Sequence, residues 1–338
     1  MNSKLSRMKV TRIASLIALV GFGSATWMPV SAADPALNVP IAMNFTWQAT
    51  YAPLRWGEVK GIFKDAGLTF DVLPTQGGDQ SLQLLEAGKV DYAFTDGDSL
   101  LSGVASGKVQ ATAIYVWADK PTFGIASFAP LNGPQAMAGK SFGTTAASTG
   151  RWLLPYVLKH NGVDPDSVKI DLVDFSVLYA EFFRGQLDTV QTNDPGSYQN
   201  LVVAAQKQGK KLYLTRVSDW GLVGYDKVLV VRNTTLRSSP NDVARVVKAL
   251  DAARSDAFAH ATDADIYGAM KDVMPQADEA PLVADYHDYK ASVKKSGAVD
   301  PKVLAASITR LVGAGIMQKP IPVDGLWANP MKPPSRSR

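Results

Sequence analysis

Two distant stretches of the 338-residue chain follow one pattern. Glu86-Ala87-Gly88-Lys89-Val90-Asp91-Tyr92-Ala93-Phe94-Thr95-Asp96-Gly97-Asp98 runs from a helix end through Gly, an apolar residue and Asp into a short strand, then Thr and a polar pair. Arg184-Gly185-Gln186-Leu187-Asp188-Thr189-Val190-Gln191-Thr192-Asn193-Asp194 repeats that order. Such an echo points to one supersecondary plan used twice. It restricts the chain to folds with two similar halves.

The surroundings extend the pattern. Before and after the first copy, strand candidates at Asn38–Ala42, Leu68–Leu73, Asp91–Phe94 and Ala111–Trp117 alternate with helical patterns. The helices start at Pro53, at Gly77-Gly78-Asp79 and at Asp96-Gly97-Asp98, the first continuing to Asp65-Ala66-Gly67. Around the second copy, strands at Lys140–Thr144, Lys169–Val173, Asp188–Gln191 and Lys211–Arg216 alternate with helices at Arg151–Asn161, Ser176–Arg184 and Gly196–Gln208. This alternation predicts an α/β fold of two doubly wound lobes, each a parallel sheet covered on both faces. Tyr225–Val231 reads as a strand returning to the first lobe. Helices at Asn241–His260, Asp263–Val273, Leu282–Lys294 and Pro301–Ala314 follow, and Pro320–Trp327 is expected to lie extended across that lobe. The expected division is 1–33 leader, 34–125 first lobe, 126–225 second lobe and 226–338 return to the first. Crossing strands are expected near Phe123–Phe128 and Val228–Val231.

Ligands of such sheets bind outside the carboxyl ends of the strands. In the first lobe that places Trp47 and Tyr51 as an aromatic wall and Asp96 as a carboxylate able to meet an amine or ring N–H. In the second lobe Gly139–Trp152 reads as strand, loop of small residues and helix start. There Ser148 and Thr149 are natural N-caps, and Arg151 adds a fixed positive charge. Free N–H groups at a helix start suit the polar or anionic end of a ligand. Asn193 and Asp194 stand at the cleft edge, because Pro195 begins the next helix.

Composition narrows the function. Lys4, Arg7, Lys9 and Arg12 precede a short apolar run and Ser31-Ala32-Ala33, the pattern of a secretory signal peptide cleaved after Ala33 or Ala32. Those four cations account for the whole formal charge of +4, so the mature chain is near neutral and carries no nucleic-acid signal. The chain has no cysteine, which excludes disulfides, a thiolate nucleophile, a Cys-ligated metal and lipid attachment through Cys. His160, His260 and His287 lie far apart in sequence and off ligand spacing, so no metal, cofactor or catalytic set is expected.

Several segments together resemble the periplasmic solute-binding proteins of ABC importers, in the nitrate/sulfonate/taurine and thiamine-pyrimidine-precursor group. They are Asn44-Phe45-Thr46-Trp47 with Ala52-Pro53-Leu54, Gly61-Ile62-Phe63-Lys64-Asp65-Ala66-Gly67-Leu68, Gly78-Asp79-Gln80, Leu85-Glu86-Ala87-Gly88-Lys89-Val90-Asp91 and Lys319-Pro320-Ile321-Pro322-Val323-Asp324. The resemblance implies a type II periplasmic binding protein fold, two lobes joined by a two-strand hinge. It implies a monomer that closes on a small molecule and delivers it to a membrane permease and its ATPase. In pyrimidine binders an aromatic residue in the Phe45-Thr46-Trp47 region stacks on the ring. Those members usually carry Asp where Asn44 stands and Pro where Gln48 stands. Sulfonate and nitrate binders prefer small polar residues with a cation, which Ser148, Thr149 and Arg151 supply. Two alternatives accompany this expectation. One is a pyrimidine-synthesising enzyme on the same fold, whose relatives need a cysteine-rich motif and an active-site histidine. The other is a periplasmic ligand sensor.

Overall fold

Alternating burial along Leu37–Ala42 sends Val39 and Ile41 into a core and makes this segment the first strand, β1. The computed structural model describes residues 36–146, 148–193, 197–294 and 296–331. After β1 come α1 (Ala52–Val59), α2 (Ile62–Asp65), β2 (Leu68–Leu73), α3 (Gly78–Glu86), β3 (Tyr92–Thr95), α4 (Gly97–Ala105) and β4 (Ala111–Ala118). The single helix expected from Pro53 to Asp65 is broken between α1 and α2, where Gly61 takes φ +74°, a left-handed conformation that ends a helix.

The second stretch holds β5 (Phe123–Ser127), β6 (Ser141–Thr144), α5 (Gly150–His160), β7 (Lys169–Leu172), α6 (Phe175–Phe183), β8 (Thr189–Asn193), α7 (Tyr198–Lys207) and β9 (Tyr213–Arg216). The return supplies β10 (Lys227–Arg232), α8 (Asn233–Ser238), α9 (Pro240–His260), α10 (Asp263–Lys271), α11 (Glu279–Ser292) and α12 (Pro301–Gly313). Two five-stranded sheets result, ordered β2-β1-β3-β10-β4 and β7-β6-β8-β5-β9. Both belong to one compact unit of the chain.

The sheets are mixed rather than parallel throughout. β1 pairs in parallel with β2 and β3, and β6 with β7 and β8, as the strand–helix alternation predicts. β10 is antiparallel to both β3 and β4, and β5 is antiparallel to both β8 and β9. These two strands are entered across the lobe boundary rather than through a covering helix. The right-handed crossover that enforces parallel pairing therefore does not apply to them.

β10 is buried on both faces, which explains its continuous apolar run. Leu229 and Val231 meet α9 through Val243, Val246, Val247 and Leu250, in a core that includes Ile41, Phe94 and Trp117. Val228 and Val230 face Leu82, Leu85, Leu100 and Leu101 with Leu304 and Ile308 of α12. The second sheet has one core around Phe142, Leu154 and Val157 and another around Phe182, Val190 and Leu201. Each fully buried side chain of this size contributes roughly 1.5–3 kcal/mol.

The chain passes between the sheets in residues 119–122 and again after β9, in residues 217–226. Phe123–Phe128 and Val228–Val231, near which the crossing was expected, fall in the strands that each passage enters, β5 of the second sheet and β10 of the first. Asp226 ties the two passages together: its Oδ1 accepts from Thr122 Oγ1 at 2.6 Å, and its N–H donates to Ala118 O at 3.1 Å. The C-terminal segment does cross the first lobe. Ala113 N–H donates to Leu326 O at 2.9 Å, and Ala328 N–H donates to Ala113 O at 2.8 Å.

Candidate ligand-binding site

The carboxyl ends of β1, β2 and β3 and those of β6 and β8 open on one cleft of about 500 Å³. Its first-lobe wall is made by Asn44, Phe45 and Gln48 after β1, by Gln76 to Gln80 at the start of α3, and by Asp96, Asp98 and Ser99 at the start of α4. Its second-lobe wall is made by Ser148, Thr149 and Leu153 of the β6–α5 junction and by Gln191 and Asn193 of β8. The passages between lobes supply Thr122, Tyr225 and Asp226, joined by Lys227 from β10 and Arg310 from α12.

On the first-lobe side, Asp96 caps α4 by accepting the Ser99 N–H at 2.8 Å through Oδ1. Its Oδ2 lies against Gly78, where any β-carbon would overlap it. Part of Asp96 faces the cleft, but protein surrounds the rest. That loss of hydration, reinforced by the neighbouring charge of Asp98, pushes its carboxyl up to about 6 against the opposing pull of the Ser99 hydrogen bonds. Asp98 is taken by Arg310, which is 5% exposed and grips it with both Nη atoms, Nη1 to Oδ2 at 2.9 Å. Arg310 Nε also donates to Val223 O at 3.3 Å, so the pair anchors α12 to the second passage. Lys227 is 3% exposed and donates to Asp226 at 2.6 Å. Both cations of the cleft are thus matched to carboxylates. Among the described residues, Asp96 and Asp79 have no cation against them.

The second-lobe side has no charged side chain among its described lining residues. Gln191 Oε1 accepts from Thr144 Oγ1 at 2.5 Å and from Ser148 Oγ at 2.6 Å. A β-carbon on Gly150 would overlap this same oxygen. Thr149 holds the N-cap position of α5 but makes no side-chain cap bond, and Ser148 Oγ is directed chiefly to Gln191. The first turn of α5 is largely satisfied within the chain: Gly150 N–H donates to Ser148 Oγ at 3.4 Å, and the N–H groups of Trp152 and Leu153 donate to Thr149 O at 3.2 and 2.9 Å. The Asn193 N–H donates to Ser197 Oγ at 3.1 Å, which fixes the end of β8.

Of the residues expected from sequence, the fold brings Asp96, Ser148, Thr149 and Asn193 together in this cleft. Trp47 is placed elsewhere. It packs edge-on against Tyr51 and lines a separate depression with Thr46, Pro74, Met274 and Leu282. Tyr51 is wholly buried, stacks on Trp117 and donates its hydroxyl to Asn44 Oδ1 at 2.6 Å. It therefore orients a cleft residue without reaching the cleft itself. Arg151 is exposed and outside the lining, because the second position of α5 turns away from the strand ends. Asp194 and residues 1–33, expected as a leader, lie outside the described residues. Sequence reasoning missed Gln191, Lys227 and Arg310. Gln191 had a usable signal: it stands two residues before Asn193, on the same face of one strand.

This constellation is a clamp lined by amides, hydroxyls and carboxylates, suited to holding a small polar solute between two lobes. The chain belongs to the NMT1/THI5-like family, which matches residues 48–264. It is 28% identical over 222 residues to the taurine-binding periplasmic protein of Escherichia coli K12, covering 64% of this chain and 66% of that relative, just under two thirds of its length. The periplasmic aliphatic sulphonate binding protein SsuA of Escherichia coli superimposes with a TM-score of 0.70 at 15% identity, covering 89% of this chain and 95% of the other. The alkanesulfonate-binding protein SsuA of Xanthomonas axonopodis pv. citri, bound to MOPS, gives 0.64 at 18% identity, covering 88% and 100%. At these identities the solved structures show a shared fold, the two-lobed architecture of periplasmic binding proteins.

Proposed function

We propose that this chain is the periplasmic solute-binding component of an ABC importer, and that its ligand is a small zwitterion, with an aminosulfonate as the leading class. Working as a monomer after removal of residues 1–33, it delivers that ligand to a permease and its ATPase. The observation that carries the ligand class is the polarity of the cleft. One wall holds Asp96 and Asp79 without cations, and the facing wall holds hydrogen-bond donors without charge. A cationic nitrogen suits the first wall and an oxyanion the second. A ligand touching both stabilises the closed state by its differential affinity for it. The names of the relatives, which bind taurine and sulfonates, support this reading. So does the absence of any cysteine for the motif that the enzyme alternative requires.

A second reading, an aminopyrimidine, keeps one supporting observation: Phe45, half-buried, offers a ring at the cleft while Asp96 offers an acceptor. The test is mass spectrometry of the solute that co-purifies, followed by calorimetry with taurine, ethanesulfonate, ethanolamine and an aminopyrimidine. Taurine binding more tightly than either half-ligand supports the zwitterion. Tighter binding of the aminopyrimidine replaces it.

A further inference from the structure

We infer that Gln191 is a specificity-determining residue, presenting its carboxamide N–H groups to the oxyanion of the bound solute. The inference rests on reading the cleft as the ligand site, and it names a contact that the reading leaves open.

The carboxamide is fixed from three sides. The Thr144 and Ser148 hydroxyls reach Oε1 at 2.5 and 2.6 Å. The α-carbon of Gly150 closes the third side, so close that a β-carbon there would overlap the oxygen and crowd the amide carbon. Turning the amide over would set Nε2 at 2.5 and 2.6 Å from the two hydroxyl oxygens, closer than N–H···O bonds lie, whereas those distances suit O–H···O bonds. With its oxygen occupied, the group has its two N–H bonds left to offer, and Gln191 lines the cleft. A side chain held by two hydroxyls loses little freedom when it binds, which is the condition for a discriminating donor. Thr144 is wholly buried and Ser148 half-buried, so the support is part of the fold rather than of the solvent. The preference also follows from what the wall lacks. With no cation among the described second-lobe lining residues, recognition of an anion falls to neutral donors, and Gln191 is the one whose orientation is set by the protein.

The decisive variant is Gln191→Glu. The new carboxylate still accepts from Thr144 and Ser148, but it meets the ligand with an acceptor and a negative charge in place of a donor. Calorimetry compares taurine, ethanesulfonate and ethanolamine on wild type, Gln191→Glu, Ser148→Ala and Asp96→Asn. In Gln191→Glu the two sulfonates should weaken about 10–150-fold, the span of a hydrogen bond to a charged group. Ethanolamine should hold within about twofold or tighten. Ser148→Ala, which frees the amide without adding charge, should weaken the sulfonates by a smaller factor and keeps the test open if the Glu variant folds poorly. Equal loss of all three probes, or no loss of the sulfonates, overturns the inference. If wild type binds taurine, Asp96→Asn weakens it and Gln191→Glu does not, the zwitterion reading survives and the Gln191 contact falls alone. If wild type binds no sulfonate, both fall.

Discussion

The two walls of the cleft are built on one plan and carry opposite electrostatics. In each, a glycine in the first turn of a helix presses on a polar side chain from a neighbouring strand end: Gly78 on Asp96 in the first lobe, Gly150 on Gln191 in the second. In the first wall that side chain is an acid whose ionisation is resisted by burial, and next to it Asp98 needs Arg310. In the second it is a neutral amide satisfied by two hydroxyls. The backbone plan fixes where polar groups can stand, and residue choice at two or three of those places fixes what they attract. Duplication of a fold therefore does not imply duplication of a site.

The strongest way to break this contrast is through Arg310. Arg310→Met leaves Asp98 partly buried without its partner and should destabilise the protein by about 3–5 kcal/mol, read by denaturant unfolding. The double variant Arg310→Met/Asp98→Asn should recover much of that loss; no recovery would mean that Arg310 acts through Val223 or packing instead.

Next in size are the paired glycines. Gly78→Ala and Gly150→Ala should each cost about 1–3 kcal/mol through overpacking. Their ligand effects should separate, Gly78→Ala weakening amine-bearing probes and Gly150→Ala weakening sulfonates. If both variants lose the same probes to the same degree, the two walls do not divide the ligand between them.

A smaller, pH-dependent effect isolates Asp96. Its carboxyl titrates near 6 in the folded chain, above its unfolded value. Between those two values the folded state holds a proton that the unfolded state has released, so stability declines as pH rises through roughly 4 to 6 and levels off above. Binding of a cationic probe should run the other way, strengthening as pH rises through about 6 and Asp96 ionises. Burial sets its titration first; the charges of Asp98 and Asp79 raise it further, and the Ser99 N–H and hydroxyl pull it down. Asp96→Asn should flatten both profiles. A binding profile that keeps its step near 6 in that variant would assign the step to another group.

The smallest effects belong to residues that the sequence marked and the fold turned away. Arg151→Ala should change stability by under about 0.5 kcal/mol, as exposed substitutions do, and taurine affinity by less than about twofold. Trp47→Ala should lose packing, less than the 3–5 kcal/mol of a fully buried ring, while binding in the cleft stays nearly constant. A large loss of taurine affinity in either variant would put that side chain at the ligand in the closed state.

These outcomes trace what the sequence could convey. Strand–helix alternation and the echo around Asp91 and Asp188 reveal both sheets, because local period and turn chemistry are local properties. The polar strand ends Asp96, Ser148, Thr149 and Asn193 are legible for the same reason. Trp47 lies away from the cleft because an aromatic residue after a strand can turn to either side of the loop, and only the packing of α11 and residues 273–278 before it decides which. Lys227 and Arg310 were invisible because they reach the cleft from the returning chain, far in sequence from the strands they serve.

The insertion of β10 between β3 and β4 also sets a schedule. All five strands of the second sheet lie between Phe123 and Arg216, without interruption by the first. The first sheet has a gap until Lys227–Arg232 arrives, and the outer side of β4 stays open until Leu326 and Ala328 reach Ala113. Closing that gap joins segments more than a hundred residues apart, a loop-closure penalty the second sheet avoids. On refolding, the amides of β6 and β8 should gain protection from hydrogen exchange before those of β3 and β4; simultaneous protection would mean the lobes fold as one. A newly made chain lacking its last third could complete one half of the clamp and not the other, so both halves meet as folded bodies only once nearly the whole sequence is present.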